Sequence, residues 1–258
     1  MNPAFSATLL SRVEDAGLNA SAPPQQRWVD GWLVRFSAGK AKRARCINAV
    51  ADGRMPVAER LAACEQVYVD ARLPMIVRIT PFTLPPDLDA VLAVQGLQRI
   101  DDTRVMVHTA LGLHSALALP AGATLLPIGL EAFAQTVGAL RGSPLAQRQA
   151  HAERLLNAPV PFSAFELRID GQPATCGQIA TEGGLVGLYD VFTAPTFRGQ
   201  GLASVLCSQL LAQARAVGAQ HAYLQVEGDN HAARSVYHRL GFTDAYAYHY
   251  RTRDPAAA

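Results

Sequence analysis

The chain has 258 residues, half of them apolar, so it can bury a sizeable core and suits one large or two modest domains. Its formal net charge of +2 is too small to make nucleic acid or an anionic membrane the main partner. No run approaches the ~20 apolar residues that cross a bilayer. The four cysteines, Cys46, Cys64, Cys176 and Cys207, make no C-x-x-C pair and no zinc-like spacing with histidine. Reduced thiols, no metal and a cytoplasmic protein are expected.

Residues 5–18 place Leu9, Leu10, Val13 and Leu18 at helical spacing with charges between, an amphipathic helix rather than a secretory leader. Strands are predicted at 31–37 and 44–50, then a helix at 56–72 with Pro56 near its first turn. A strand at 75–80, a helix at 86–94 and a strand at 103–109 complete the first half. The chargeless Ala, Leu, Gly and Pro stretch 116–127 reads as a linker between units 1–115 and 128–258. Beyond it, helices are predicted at 129–141 and 143–157, and strands at 162–169, 174–182 and 185–193. Asp170-Gly171 and Gly183-Gly184 supply the tight turns between those strands. A helix at 202–217, a strand at 222–227, a helix at 231–239 and a last strand near 245–250 follow.

Helix, strand, helix, glycine and strand recur in both halves, with Gly96 and Gly241 at matching places. Two related half-structures in tandem are expected, with the chemistry in the second. The nearest first-half counterpart of the second half's glycine loop is taken to be 39–45, whose cations Lys40, Lys42, Arg43 and Arg45 read as a solvated face or sheet edge.

Residues 198–203 read Arg-Gly-Gln-Gly-Leu-Ala and sit between a strand and a helix. Gly199 and Gly201 let the backbone turn sharply, and the first amides of the following helix lack intrahelical partners. That is an anion site suited to a pyrophosphate. The lysine and hydroxyl of a nucleoside triphosphate loop are missing, and Ser204 stands where a dinucleotide fingerprint needs its third glycine. Downstream come Asn230, Ala233, Tyr237, Leu240, Gly241 and Phe242.

Arg198, Gly201 and Ala203, followed by this Asn-x-x-Ala-x-x-x-Tyr-x-x-Leu-Gly-Phe run, resemble the GNAT superfamily of N-acetyltransferases over roughly residues 160–250. The resemblance implies an α+β fold with an α/β mixed sheet, here as two tandem GNAT-like halves, the first degenerate. It implies acetyl-CoA as co-substrate, held by Arg198, Gly199, Gln200, Gly201, Leu202, Ala203 and Ser204. The backbone of Asp190, Val191, Phe192 and Thr193 would meet the pantetheine, and Asn230 and Tyr237 would also contact the cofactor.

An alkyl ammonium of pKa ~10.4 is deprotonated about one part in a thousand at pH 7, so the nucleophile needs a base more than the leaving thiolate, pKa ~8.5, needs an acid. Tyr237 matches the family tyrosine that protonates the sulfur; the alternative is an aromatic packing residue. The family's usual glutamate position holds Gln225. Glu227, two residues on and on the same face, and Asp190 are the candidate bases, each set against a merely structural carboxylate. Asn230 could instead cap the helix at His231. Tyr246, Tyr248 and Tyr250 alternate, and one face of that strand could wall the acceptor pocket. His231, His238 and His249 read as surface or packing residues.

The reading is transfer of an acetyl group from acetyl-CoA to a primary amine by direct attack in a ternary complex, with a small molecule or peptide as acceptor. No nucleic acid or membrane partner is expected, and a homodimer stays open. A non-catalytic acyl-CoA-binding sensor is the alternative; a purely structural protein would leave the motif series without a use.

Overall fold

The computed structural model describes residues 1–37 and 41–256. The first half runs α1 (Ala7–Ala20), β1 (Gln26–Val29), β2 (Trp32–Arg35), β3 (Ile47–Asn48), α2 (Val57–Ala71), β4 (Ile76–Ile79), α3 (Leu88–Val94) and β5 (Gln98–His108). The second runs β6 (Ala123–Ile128), α4 (Leu130–Leu140), α5 (Leu145–Leu156), β7 (Phe162–Ile169), β8 (Gln172–Glu182) and β9 (Leu185–Thr193). It ends with α6 (Leu202–Ala216), β10 (His221–Glu227), α7 (His231–Arg239) and β11 (Thr243–Thr252).

Local chemistry explains most boundaries. The Ser6 side chain accepts from Leu9 N at the start of α1. Asp170 and Gly171 (φ 49° and 78°), like Gly183 and Gly184 (φ 53° and 81°), take the left-handed pair that a two-residue hairpin of the right twist requires. Two expectations need correction. Of the strand expected at 44–50 only Ile47–Asn48 pairs, because residues 42–44 form a 3-10 turn. The linker expected at 116–127 is shorter: 116–122 form no helix or strand, while 123–127 belong to β6, which pairs with β7 from Ala123↔Ile169 to Ile128↔Ala164.

Among the described residues the strands join one 11-stranded sheet in the order β1-β2-β3-β4-β11-β5-β10-β9-β8-β7-β6. The halves exchange strands at its centre. β11, the last strand of the second half, lies between β4 and β5, while β5 pairs with β10. A single offset of 145 residues carries α2 onto α6 (57 to 202, 71 to 216), β4 onto β10 (76 to 221) and β5 onto β11 (98 to 243). β3 and β4 run parallel, as do β9 and β10. Since β5 and β11 are antiparallel neighbours related by the repeat, the approximate twofold axis is perpendicular to the sheet and passes near the pair Thr103↔Tyr248.

Each face has its own helices. Met106 of β5 joins the apolar cluster of α6 and α7, with Leu206, Leu210 and Phe242, whereas Val105 and Val107 join Leu10 and Val13 of α1. Helices α4 and α5 cover β7 to β9 through Phe133, Val137 and Leu155. Leu202, Leu206 and Leu210 are buried on one stripe of α6, and each contributes roughly 1.5–3 kcal/mol. That stripe fixes the helix, and with it the position of the loop at its N-terminus.

Candidate active site

The parallel ladder between β9 and β10 ends at Leu188↔Leu224, although both strands continue, to Thr193 and Glu227. The strands therefore part, and the β9 edge facing β10 is left without ladder bonds. On its other side β9 still pairs with β8, through a bulge between the pairs Tyr189↔Gln178 and Phe192↔Cys176. Asp190 sits in that bulge at φ 50°. Two carbonyls of the expected pantetheine stretch already have partners: Phe192 O accepts from Thr175 Oγ1 at 2.9 Å, and Thr193 O from Arg198 Nε at 3.4 Å.

Beyond β9 a 3-10 turn, Pro195–Phe197, leads into the glycine loop. Gly199 (φ 79°) and Gly201 (φ 75°) are left-handed, and a Cβ on either would meet nothing within 4 Å. Their need for glycine is therefore conformational rather than steric. Gly201 is the N-cap of α6 and offers no side chain to it. The amides of Gly199, Gln200, Gly201, Leu202 and Ala203 donate to no group among the described residues. Residues 198–201 are exposed while Leu202 is buried and Ala203 half-buried, so the run of five bare amides passes from an exposed turn into the positive end of a helix. The run stops there, because Ser204 N and Val205 N both donate to Gly201 O, at 3.0 and 3.2 Å. Ser204, expected among the cofactor-binding residues, therefore keeps only its hydroxyl for a ligand.

Tyr237 of α7 is partly buried against the α6 core, its ring centroid 6.0 Å from that of Phe242. Burial, aided by the nearby Cys207 thiol, raises its pKa well above the ordinary phenol value, so the hydroxyl stays protonated at neutral pH. Asn230 does cap α7: its Oδ1 accepts from Ala233 N at 3.1 Å, leaving the amide nitrogen for a ligand.

The two candidate bases separate. Asp190 Oδ1 accepts from Arg141 Nη1 at 2.9 Å; Oδ2 accepts from Gln178 Nε2 at 2.8 Å and lies 3.3 Å from His151 Nε2. Burial works against its charge, but the bond and charge of His151, then Arg141 and Arg154, outweigh it and hold the carboxyl far below the usual range. A carboxylate held so firmly is a poor proton acceptor. The geometry argues against Asp190 as base and makes it the pin that ties α4, α5 and β8 to the bulge. Glu227 is exposed at the end of β10, and its carboxylate has no partner among the described residues. The pleat puts Glu227 on the α1 face, opposite Val226, which packs under α6. Tyr237 and Glu227 thus approach the parted strands from opposite faces.

Gln225 is occupied otherwise. Its Oε1 accepts from Tyr248 Oη at 2.8 Å, and a Cβ on Gly17 of α1 would come within 2.7 Å of its Nε2. Tyr246, Tyr248 and Tyr250 are all buried in the α1 core. Tyr246 Oη donates to Glu14 Oε2 at 2.7 Å, and the Arg78 guanidinium lies 3.9 Å over the Tyr248 ring. Of the basic cluster, Lys40 lies outside the described residues. Lys42 pairs with Asp101 at 3.0 Å. Arg43 is not on a solvated face: it turns inward and donates from Nη1 to Tyr248 Oη at 3.1 Å. Nothing in the sequence marked that contact, which joins residues 205 positions apart.

The first-half counterpart of the glycine loop is also not 39–45. The connection from β3 to α2 corresponds to that from β9 to α6, and the 145-residue offset places Gly53, Arg54, Met55 and Pro56 on 198–201. Here the amides are not bare. Asp30 Oδ2 accepts from Arg54 N at 2.9 Å and Met55 N at 2.8 Å, and Arg60 Nε lies 3.0 Å from it. An internal carboxylate occupies the position a phosphate would take.

A parted parallel pair with an exposed, amide-lined loop at the start of the next helix offers an anion site beside a free strand edge. Residues 135–242 match the Acetyltransferase (GNAT) family, and the chain carries a GNAT acetyltransferase domain there. Over 235 residues, 88% of this chain and 92% of the relative, it is 26% identical to the "Uncharacterized N-acetyltransferase YobR" of Bacillus subtilis (strain 168). Its fold is similar to a GCN5-related N-acetyltransferase from Kribbella flavida, with TM-score 0.70, 18% identity and 95% of each chain covered. It is also similar to a tandem GNAT protein from the clavulanic acid biosynthesis pathway, with TM-score 0.60, 17% identity, and 79% of this chain and 72% of that one covered. No helix among the described residues is long and apolar enough to cross a membrane.

Proposed function

We propose that the chain transfers the acetyl group of acetyl-CoA to a primary amine by direct attack in a ternary complex. The observation that carries this is the run of five unpartnered amides from Gly199 to Ala203, beside a strand edge freed by the parting of β9 and β10. The donor set fits a diphosphate: consecutive N–H groups, two left-handed glycines and a helix N-terminus. Acetyl-CoA as co-substrate supplies the activated acetyl group. The amides of 199–203 and the free edge of β9 hold and orient it, and that orientation accounts for much of the rate.

Glu227 accepts the ammonium proton at its carboxylate, directly or through a water. Tyr237 holds its proton at Oη and delivers it to the departing sulfur. Cys207 is fully buried and burial raises its thiol to about 12, so it is no nucleophile and no acyl-cysteine step is needed.

The test is thiol release from acetyl-CoA across a panel of amines, repeated with Tyr237→Phe. Amine-dependent release is expected, with turnover lowered ten- to a hundredfold in the variant and coenzyme affinity nearly intact. Coenzyme binding without amine-dependent release would favour the sensor reading, which the substitution at Gln225 keeps in play. Absence of coenzyme binding would sink both.

A further inference from the structure

A cavity of about 540 Å3 opens where the first half's own parallel strands end. The β3–β4 ladder stops at Asn48↔Arg78, and the chain beyond the strands, Val50 on one side and 80–84 on the other, forms the walls. Helix α1 adds Glu14, Asp15 and Leu18. Small-molecule sites usually enclose roughly 300–1,000 Å3, so the volume suits a ligand rather than a few waters.

The repeat gives this place a meaning. The offset of 145 residues holds without a gap from β4 to β5, carrying Val94 at the end of α3 onto Arg239 at the end of α7. It puts Thr80 at the place of Gln225, Phe82 at that of Glu227 and Leu92 at that of Tyr237. A twofold axis perpendicular to the sheet keeps each face, so the cavity beside α1 lies on the face that carries Glu227. It stands where an acceptor would approach in the second half. The carboxylate and phenol that would move protons are replaced by apolar side chains, and Asp30 fills the first-half loop. The first half retains a pocket without the chemistry.

The lining selects by charge. No cationic side chain lines the cavity, and its charged groups are Glu14 and Asp15. Glu14 is buried and taken: Arg78 donates to both of its oxygens, and Tyr246 Oη donates to Oε2. Asp15 is exposed, and its carboxylate has no partner among the described residues. Partial burial, then the charge of Glu14, raises its pKa above the ordinary value, a cost that a cation beside it would offset.

An anion would find no donors in the wall opposite α1. Thr80 N donates to Thr83 Oγ1 at 2.8 Å, and Phe82 N to Thr80 Oγ1 at 3.0 Å. Thr83 N donates to Thr80 O at 3.1 Å and Leu84 N to Ala49 O at 2.8 Å, while Pro81 and Pro86 have no N–H. The hydroxyls of Ser11, Thr80 and Thr83 can still accept from an ammonium group. Leu18, Val50, Phe82 and Leu84 offer apolar surface to the rest of such a molecule. A metal ion fits less well, since no group of three or more metal-ligating side chains occurs among the described residues.

We propose that this cavity binds an organic ammonium ion with an apolar body, Asp15 being its counter-ion, and binds it without turnover. The site is separate from the second-half acceptor site and stands whether or not acetyl transfer occurs.

The test is calorimetric titration of the intact chain, without coenzyme, by 2-phenylethylamine, with 2-phenylethanol and 3-phenylpropanoate as its neutral and anionic matches. The amine is expected to bind at least tenfold more tightly than either. Asp15→Asn should weaken it about tenfold. Ser11→Trp, at an exposed helix position, should abolish it by obstructing the cavity, and Glu227→Gln should leave it unchanged. Equal affinity for the three probes, tighter binding of the propanoate, or no amine binding with Kd below about 1 mM overturns the proposal. So does binding that Glu227→Gln removes while Asp15→Asn and Ser11→Trp keep it, since the amine then sits in the second half. Should Ser11→Trp fail to fold, Asp15→Asn and a crystal structure of the chain soaked with the amine decide. An ammonium group beside Asp15 supports the site, and the amine bound only elsewhere overturns it. Thiol release plays no part in this experiment, so failure of the acetyl-transfer reading is seen separately.

Discussion

The loops at 53–56 and 198–201 occupy corresponding places, each between a parallel strand and the helix that follows it, yet their amides have opposite fates. In the first half Asp30 accepts from Arg54 N and Met55 N, and Pro56 caps α2 in an extended conformation, φ −52° and ψ 143°. In the second half Gly201 caps α6 in the left-handed region, φ 75° and ψ 2°, and five amides have no partner. An anion site formed by a strand, a turn and a helix therefore need not bind a ligand. One acidic side chain of the protein itself is enough to fill it, and here the turn differs as well, a proline cap replacing the left-handed glycine.

The most severe test of this contrast is Gly201→Val. A β-branched residue is strained at φ 75° and would pull the cap, and the amides around it, out of line. Coenzyme A affinity should fall a hundredfold or more, about 3 kcal/mol, by calorimetry. Arg54→Val, at the place of Gly199, should leave it unchanged. Similar losses in both variants would mean that the first-half loop binds coenzyme after all.

Glu227→Gln comes next in size. Removing an aligned base typically costs 10²-fold or more in kcat/KM, and the acidic limb of the pH–rate profile should disappear with it. Asp190→Asn should keep that limb. Loss of the limb in Asp190→Asn alone would return Asp190 to the base role.

Asp190→Asn should act on stability instead. Its folded pKa lies far below the ordinary carboxylate value, so between the two the unfolded chain binds a proton that the folded chain does not. The stabilisation is complete above the unfolded pKa near 4 and shrinks as pH falls towards the folded value. Loss of the pair with Arg141 and His151 should cost roughly 2–3 kcal/mol at pH 7. By denaturant unfolding the wild-type advantage should narrow below pH 4; a constant gap from pH 7 to pH 3 would contradict the ion-pair account.

The elements surrounding the glycine loop were legible because their signals are local. Turn glycines, helix periodicity and the run from Asn230 to Phe242 need no knowledge of distant residues. The repeat was legible in outline for the same reason. The exchange of β5 and β11 was not, since strand order depends on pairing between residues far apart in sequence and each strand fits either half. Arg43 read as a surface cation because its partner, Tyr248, lies at the other end of the chain. The glycine and cations of 39–45 point to that segment as the first-half loop. Its true counterpart has lost that signature, as a loop closed by an internal carboxylate has no need of it.

The mildest perturbation addresses that closed loop directly. Asp30→Asn keeps the shape of the side chain and an acceptor oxygen, but removes the charge facing Arg54 N, Met55 N and Arg60. The two backbone amides lower the Asp30 carboxyl below its ordinary value, against a small opposing effect of burial, and Arg60 adds to them. Thermal unfolding should therefore begin at a slightly lower temperature at pH 7, and the difference should fade as pH falls below about 4 and the wild-type carboxylate is protonated. Coenzyme A stoichiometry should stay at one per chain in both proteins, because Pro56 still replaces the left-handed glycine and no further amide is freed. A second equivalent bound by Asp30→Asn would show that charge alone closed the site. The difference between the halves would then lie in one carboxylate rather than in the shape of the turn.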